Sequence, residues 1–240
     1  VELYPAIDLK QGRVVRVKRA EPDVEVLYHQ DPLAVAQAWV RSGARWIHVV
    51  DLDRVFGPGD QTALIATLVS RLPVPVQVGG GFTDADSVAA MLDLGARRVV
   101  VGTRAAATKE GLAQLCDRFG PESLALALDV KHGRCWARGW KEAAAYTPLD
   151  LARRARAAGI RLVVHTDLGR EGALSGANVG ASATLAATAD VGVLVSGGVS
   201  SLEDLAAIRD AGLEGAIVGR ALFENRFTLE QALACSSSPS

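Results

Sequence analysis

Cysteine is scarce in this chain. Cys116, Cys135 and Cys235 are the only three among 240 residues, the count is odd, and none belongs to a C-x-x-C pair. Neither a disulfide framework nor a structural zinc is expected, and each thiol reads as buried or incidental. Charge of one sign is also lacking: 26 Lys and Arg face 27 Asp and Glu, for a formal net charge of −1. A nucleic-acid partner is therefore not expected, because phosphate-backbone binding needs a basic excess. No apolar run approaches the roughly 18 residues of a membrane span, so no membrane partner is expected either. The first residues, VELYPAIDLK, have no basic stretch and no small-residue cleavage site. No export signal is expected, and a reducing cytoplasm is the expected location. No Walker loop, no G-x-S-x-G elbow and no metal-ligand spacing of His, Asp or Glu occurs. No metal and no cofactor are expected. The working unit is expected to be a monomer acting on a small molecule.

What remains is apolar and orderly. Hydrophobic residues make up 49% of the chain, and a chain of this length buries roughly 70–75% of its unfolded surface. Apolar runs of four to seven residues alternate with helical patterns: ELYPAI, RWIHVV, VPVQV, RRVVV, SLALAL, RLVVHT, VGVLVS and EGAIVG. Runs that are continuously apolar mean strands covered on both faces, as in parallel sheets. Eight strand–helix units predict a single (β/α)8 barrel over residues 1–234, with an open doubly wound sheet as the competing architecture. The polar tail, residues 235–240, is expected to be loose.

The chain also repeats itself. Gly102 to Gly219, Asp86 to Glu203 and Gly95 to Gly212 are steps of 117 residues. Gly43 to Gly159 and Asp51 to Asp167 are steps of 116, while Asp8 to Asp129 and Gly12 to Gly133 are steps of 121. Two half-barrels, about 1–120 and 121–234, are expected to close on each other, since a half-barrel alone leaves sheet edges unpaired. The loop after the first strand of each half absorbs the length difference.

Active sites of such barrels lie at the C-terminal strand ends. Four ends are glycine-rich: Gly79, Gly80 and Gly81; Gly102 with Thr103; Ser196, Gly197 and Gly198; Gly219 with Arg220. Glycines expose backbone N–H groups, and the following helix adds its positive end. Two such pairs predict two phosphate cradles across one mouth; the alternative is that these glycines only permit tight turns. Asp8 and Asp129 end the first and fifth strands and are expected to face the cavity as an acid/base pair. The competing reading is a salt-bridged structural acid, with Lys10 and Lys131 nearby. Asp51, Asp53 and Asp167 are weaker candidates that support a loop or touch substrate. His48 and His165 read as packed or supporting groups. SSLED, from Ser200 to Asp204, reads as a helix cap.

The motifs YPAIDLKQGRVVR, HVVDLD, VQVGGG, VGT, LDVKHGRCWARGW, HTDLGREG, SGGVSSLEDL and AIVGRAL run through nearly the whole chain. In this order they resemble the aldose–ketose isomerase family of histidine biosynthesis. PAIDL and RGW separate that family from its sister cyclases, whose first strand reads closer to PCLDV. The resemblance implies a cofactor-free Amadori rearrangement of a substrate with a phosphoribosyl group at each end. It implies Asp8 as the base at the sugar C2, Asp129 as proton donor, Thr166 as a positioning hydroxyl and Trp140 as a cover. Arg16, His48, Asp51, Trp140 and Glu171 are further candidates for substrate contact. Three stretches depart from the family pattern. RDGT, whose Asp is proposed as an acid in some members of the family, is here REGA, with Glu171 and Ala173, so either Glu171 or Asp129 does that work; DLDGA is DLDRV, with Gln61 the nearest amide; TGPN is SGAN. Functional alternatives are an isomerase that also serves tryptophan synthesis and a barrel that only binds bisphosphorylated metabolites.

Overall fold

A computed structural model of the chain describes residues 1–18, 21–107, 109–137, 139–171 and 173–237. Eight parallel strands form the barrel: β1 (Glu2–Lys10), β2 (Ile47–Asp51), β3 (Val76–Phe82), β4 (Arg98–Val101), β5 (Leu124–Lys131), β6 (Leu162–Asp167), β7 (Gly192–Ser196) and β8 (Gly215–Val218). Each pairs with its sequence neighbour, and β8 pairs with β1, so the ring closes without an edge. Among the described residues, the eight longer helices stand outside: α1 (Pro32–Arg41), α2 (Thr62–Arg71), α3 (Ala85–Asp93), α4 (Lys109–Phe119), α5 (Pro148–Ala157), α6 (Val179–Ala189), α7 (Leu202–Asp210) and α8 (Leu229–Ser237); single helical turns, Leu52–Phe56 and Arg220–Phe223, follow the second and eighth strands. This is the (β/α)8 barrel that the alternating runs predict.

Local chemistry sets the helix starts. Asp31, Asp84 and Asn178 cap α1, α3 and α6 by accepting backbone N–H groups one turn in. Thr147 with Asp150, and Ser201 with Asp204, form reciprocal capping boxes at α5 and α7. The second of these is the cap that SSLED suggests.

Side chains alternate across each strand, and here both faces are covered. On β1, Leu3, Ile7 and Leu9 point outward into the layer between strands and helices. Tyr4 and Ala6 point into the barrel, where they pack with Val100, Ala125, Val164, Leu194 and Ile217. Both sets are apolar, which is why each strand reads as a continuous run rather than an alternating one.

Two features were not anticipated. A hairpin, Arg13–Lys18 with Glu21–His29, follows β1. A smaller one, Arg134–Ala137 with Glu142–Ala143, follows β5. The chain also does not loosen at residue 235. Cys235 to Ser237 complete α8: the Cys235 carbonyl accepts from Arg209 at 2.8 Å, and Ser236 is 4% exposed. Small residues let this last turn pack closely. Only residues 238–240 of the expected tail lie outside the described residues.

Leu126 lies on β5, fully buried in the strand–helix layer. Leu126→Ala is expected to lower stability by about 2–5 kcal/mol, read as a lower denaturant midpoint with the folded spectrum retained.

Candidate active site

Alternation of side chains decides which strand-end residues meet. With Tyr4 and Ala6 inward, Asp8 is inward too. On β2, His48 and Val50 face the cavity, so Asp51 faces the other way; Leu9, not Asp8, is its cross-strand partner. On β6, Val164 and Thr166 face the cavity, and Asp167 does not. The inward positions at the barrel mouth are thus Asp8, Val50, Gly79, Gly102, Asp129, Thr166, Ser196 and Gly219. Small residues at half of these positions leave a cavity of about 600 Å³.

Asp8 and Asp129 stand on β1 and β5, four strands apart in a ring of eight and therefore on opposite walls. Removal from water raises both carboxyls above the ordinary carboxylate range. For Asp8, burial is the largest cause, the Glu171 carboxylate adds to it, and Arg16 opposes it; the result is about 7. For Asp129, burial again dominates. Hydrogen bonds from the Trp140 indole, at 3.1 Å, and from the Thr166 hydroxyl oppose the rise. Trp140 sits in left-handed backbone at φ 65°, with its ring edge against Phe56. It leans over Asp129 from the loop between the two short strands of the second hairpin. Arg138 of the RGW motif lies outside the described residues, as does Gly172 of REGA.

The glycine turns line the same cavity. Gly79, Gly80, Gly81, Gly102 and Thr103 lie on one side; Ser196, Gly197, Gly198, Gly219 and Arg220 lie on the other. Packing alone already demands two of these glycines. Gly80 has φ +118°, and a Cβ there would lie 2.6 Å from the Asp51 carbonyl oxygen. Gly198 has φ +86°, and its Cβ would lie 2.3 Å from the Gly176 oxygen. The Gly102 N–H is not an open donor, since it donates to the Phe82 carbonyl at 2.8 Å. What Gly102 supplies is room: a Cβ would meet Thr83 at 3.5 Å.

Among the candidates for substrate contact, Arg16, His48, Trp140 and Glu171 line the cavity. Asp51 does not. It is fully buried behind β2, where its carboxylate accepts from the Arg54 N–H at 3.0 Å and the Gln61 N–H at 2.8 Å. Asp51 is a loop anchor, for the reason of strand parity given above. Asp167 is placed likewise: it accepts from the Gly169 N–H at 2.7 Å and the Asn178 amide at 2.7 Å. Asp53 accepts from the Gln11 N–H at 2.8 Å and from the Gln61 amide. His165 points outward, with Nδ1 2.8 Å from the Ser182 hydroxyl on α6. Sequence reasoning missed Arg54, Arg104 and Lys141, three more cations lining the cavity. Arg104 follows a strand-end Thr and was open to discovery on that ground. Arg54 sits in a one-turn helix, Leu52–Phe56, and Lys141 in a turn, and no sequence pattern reveals the direction of either. Among the described residues, no group of three His, Cys, Asp or Glu is placed to hold a metal, and no helix is long and apolar enough to cross a membrane.

The chain is a (β/α)8 barrel whose mouth holds two opposed buried acids between two glycine-rich turns, with cations around them. A sequence profile of the family described as "Histidine biosynthesis protein" matches residues 2–228. The chain belongs to that family. It is 41% identical over 239 residues to a protein of Moorella thermoacetica, covering 98% of each chain. It is 42% identical over 236 residues to one of Rhodospirillum rubrum, covering 97% of this chain and 98% of the relative. It is 40% identical over 235 residues to one of Roseiflexus castenholzii, covering 98% and 99%. All three relatives are named imidazole-4-carboxamide isomerases, and the name gives their substrate two 5-phosphoribosyl groups.

Gly80→Ala is expected to cost about 1–3 kcal/mol from backbone strain alone, and more from the clash with Asp51. Gly133→Ala, whose Cβ would meet nothing within 4 Å, is expected to lose less. Paired thermal melts check the order.

Proposed function

We propose that this chain is an aldose–ketose isomerase of histidine biosynthesis. It converts the bis-phosphoribosyl aminoimidazole carboxamide aldose to its ketose by an Amadori rearrangement. The observation that carries the proposal is the pair of buried acids, Asp8 and Asp129, on opposite walls of one cavity between two glycine turns. The half-barrels 1–120 and 121–234 each furnish one acid and one phosphate cradle. The names of the relatives supply the substrate class.

The chemistry follows from that placement. Asp129, whose carboxyl burial raises above its ordinary value, gives a proton to the ring oxygen as the C1–O bond breaks, leaving a C1–N iminium. Asp8, as carboxylate, takes the C2 proton; the electron pair moves into C1=C2 and neutralises the iminium nitrogen. The enolamine then takes a proton at C1 and loses one from the C2 hydroxyl, which becomes the ketone. The rearrangement is redox-neutral, so positioned acids and bases suffice. Gripping both phosphates fixes the sugar between the acids, so remote binding energy serves orientation. Thr166, Trp140 and Glu171 hold the acids' charge states, and Trp140 covers the ligand. We place this activity in a cytoplasmic monomer whose partner is the small molecule alone.

Asp8→Asn is expected to cut turnover of the bis-phosphoribosyl aldose by about 10²–10⁴-fold while product binding persists. A single-phosphate anthranilate substrate run alongside is expected to stay inert. An Asp8 base ionises through about pH 7, so kcat/KM of the wild type is expected to rise with pH there. Glu171 raises the Asp8 value and Arg16 lowers it. Glu171→Gln therefore moves this limb to lower pH, and Arg16→Gln moves it higher. Undiminished turnover by Asp8→Asn contradicts the proposal.

A further inference from the structure

A polar row, buried at Gln77 and His48 and partly buried at Arg98, runs inside the barrel beneath the acids and takes no part in the proton transfers. Arg98 on β4 donates from Nη1 to the Tyr4 hydroxyl at 3.2 Å and to Gln77 Oε1 at 3.0 Å. Its guanidinium lies over the Trp46 ring, 4.7 Å from the centroid. Gln77 on β3 is fully buried, and its Nε2 is 3.0 Å from His48 Nδ1. His48, 6% exposed, lines the cavity.

The donor chemistry of this row runs in one direction. A guanidinium only donates, so the Gln77 atom facing Arg98 is the oxygen. The NH2 group of Gln77 then faces the imidazole, and NH2 also only donates. His48 Nδ1 must accept, which leaves its proton on Nε2. An imidazolium would set an N–H against the NH2 group. Burial acts in the same sense, holding the His48 pKa down to about 4. The Nε2 edge stays open because Gly79 stands beside it. A Cβ at Gly79 would lie 3.5 Å from His48 Cε1 and 3.8 Å from Nε2, and any longer side chain would cover that edge.

We propose that Arg98 and Gln77 are positioning residues that hold His48 as a neutral Nε2–H donor for a sugar oxygen of the ligand at the cavity floor. The proposal rests on reading the cavity as the site of a bis-phosphorylated sugar. It assigns the floor a fixed hydrogen-bond donor that is independent of pH in the neutral range. Arg98 acts at a distance, through the orientation of one amide.

The test reads the tautomer and the affinity separately. Imidazole ¹⁵N spectra of histidine-labelled protein, with His48→Gln to assign the signals, are expected to show His48 protonated on Nε2 alone at pH 6–8. Gln77→Glu presents an acceptor to Nδ1 and is expected to move a proton there. Arg98→Met frees the amide and gives both tautomers; Arg98→Lys, still a pure donor, keeps the wild-type pattern. Affinity for the bis-phosphoribosyl aldose is measured by calorimetry in an Asp8→Asn background, where no turnover intrudes. Gln77→Leu, neutral and close in size, is expected to weaken binding by about fivefold. A wild-type proton on Nδ1, or an unchanged tautomer in Gln77→Glu, overturns the positioning role. Unchanged affinity in Gln77→Leu overturns the donor role. If the aldose fails to bind even with Asp8→Asn alone, the isomerase reading fails and the donor role with it, while the spectra still decide the tautomer.

Discussion

Backbone hydrogen bonding in a parallel sheet leaves two bare edges, and here the eighth strand meets the first so that neither remains. Closure of that kind fixes which side of every strand faces the barrel axis. Once Tyr4 and Ala6 point inward, Asp8 has to follow them, and the ring places Asp129 opposite. Each inward layer then has its own chemistry. Aliphatic side chains such as Val100, Val164 and Leu194 fill the middle, the Arg98–Gln77–His48 row threads between them, and acids with glycines finish the top. The cavity is what remains where small residues replace large ones.

That construction places charge where water is scarce, and the structure distributes the cost. Asp8 and Asp129 both rise above the ordinary carboxylate range through burial. They are nevertheless treated differently. Asp129 is held by an indole and a hydroxyl, whereas Asp8 faces the carboxylate of Glu171 and the guanidinium of Arg16. Two acids in unlike surroundings suit opposite proton-transfer roles. Asp51 and Asp167, one residue out of phase with the cavity, instead tie the loops against which Gly80 and Gly197 pack.

Much of this was legible in the residues. Continuous apolar runs mark the eight strands because both faces of each are covered, and the spaced glycines and acids mark the mouth. The same continuity hides the parity of a strand. In HVVD, nothing local says whether Val50 or Asp51 turns inward, so the sequence leaves Asp51 as either a loop support or a substrate contact, and its carboxylate holds the loop. The two hairpins were not visible because they lie in stretches read only as connections between strand and helix. Cys235 to Ser237 read as a polar tail, yet Arg209 draws that turn onto α7. The Arg98–Gln77–His48 row was hidden because its members come from three strands and meet only on closure.

The central claim is that Asp8 removes the proton from C2 of the ring-opened sugar. Transfer of deuterium from heavy water into C2 of the bis-phosphoribosyl aldose, followed by NMR on recovered substrate, tests it most directly. Exchange is expected with the wild type and none with Asp8→Asn, with binding retained in the variant. Exchange at the wild-type rate in Asp8→Asn would contradict the claim.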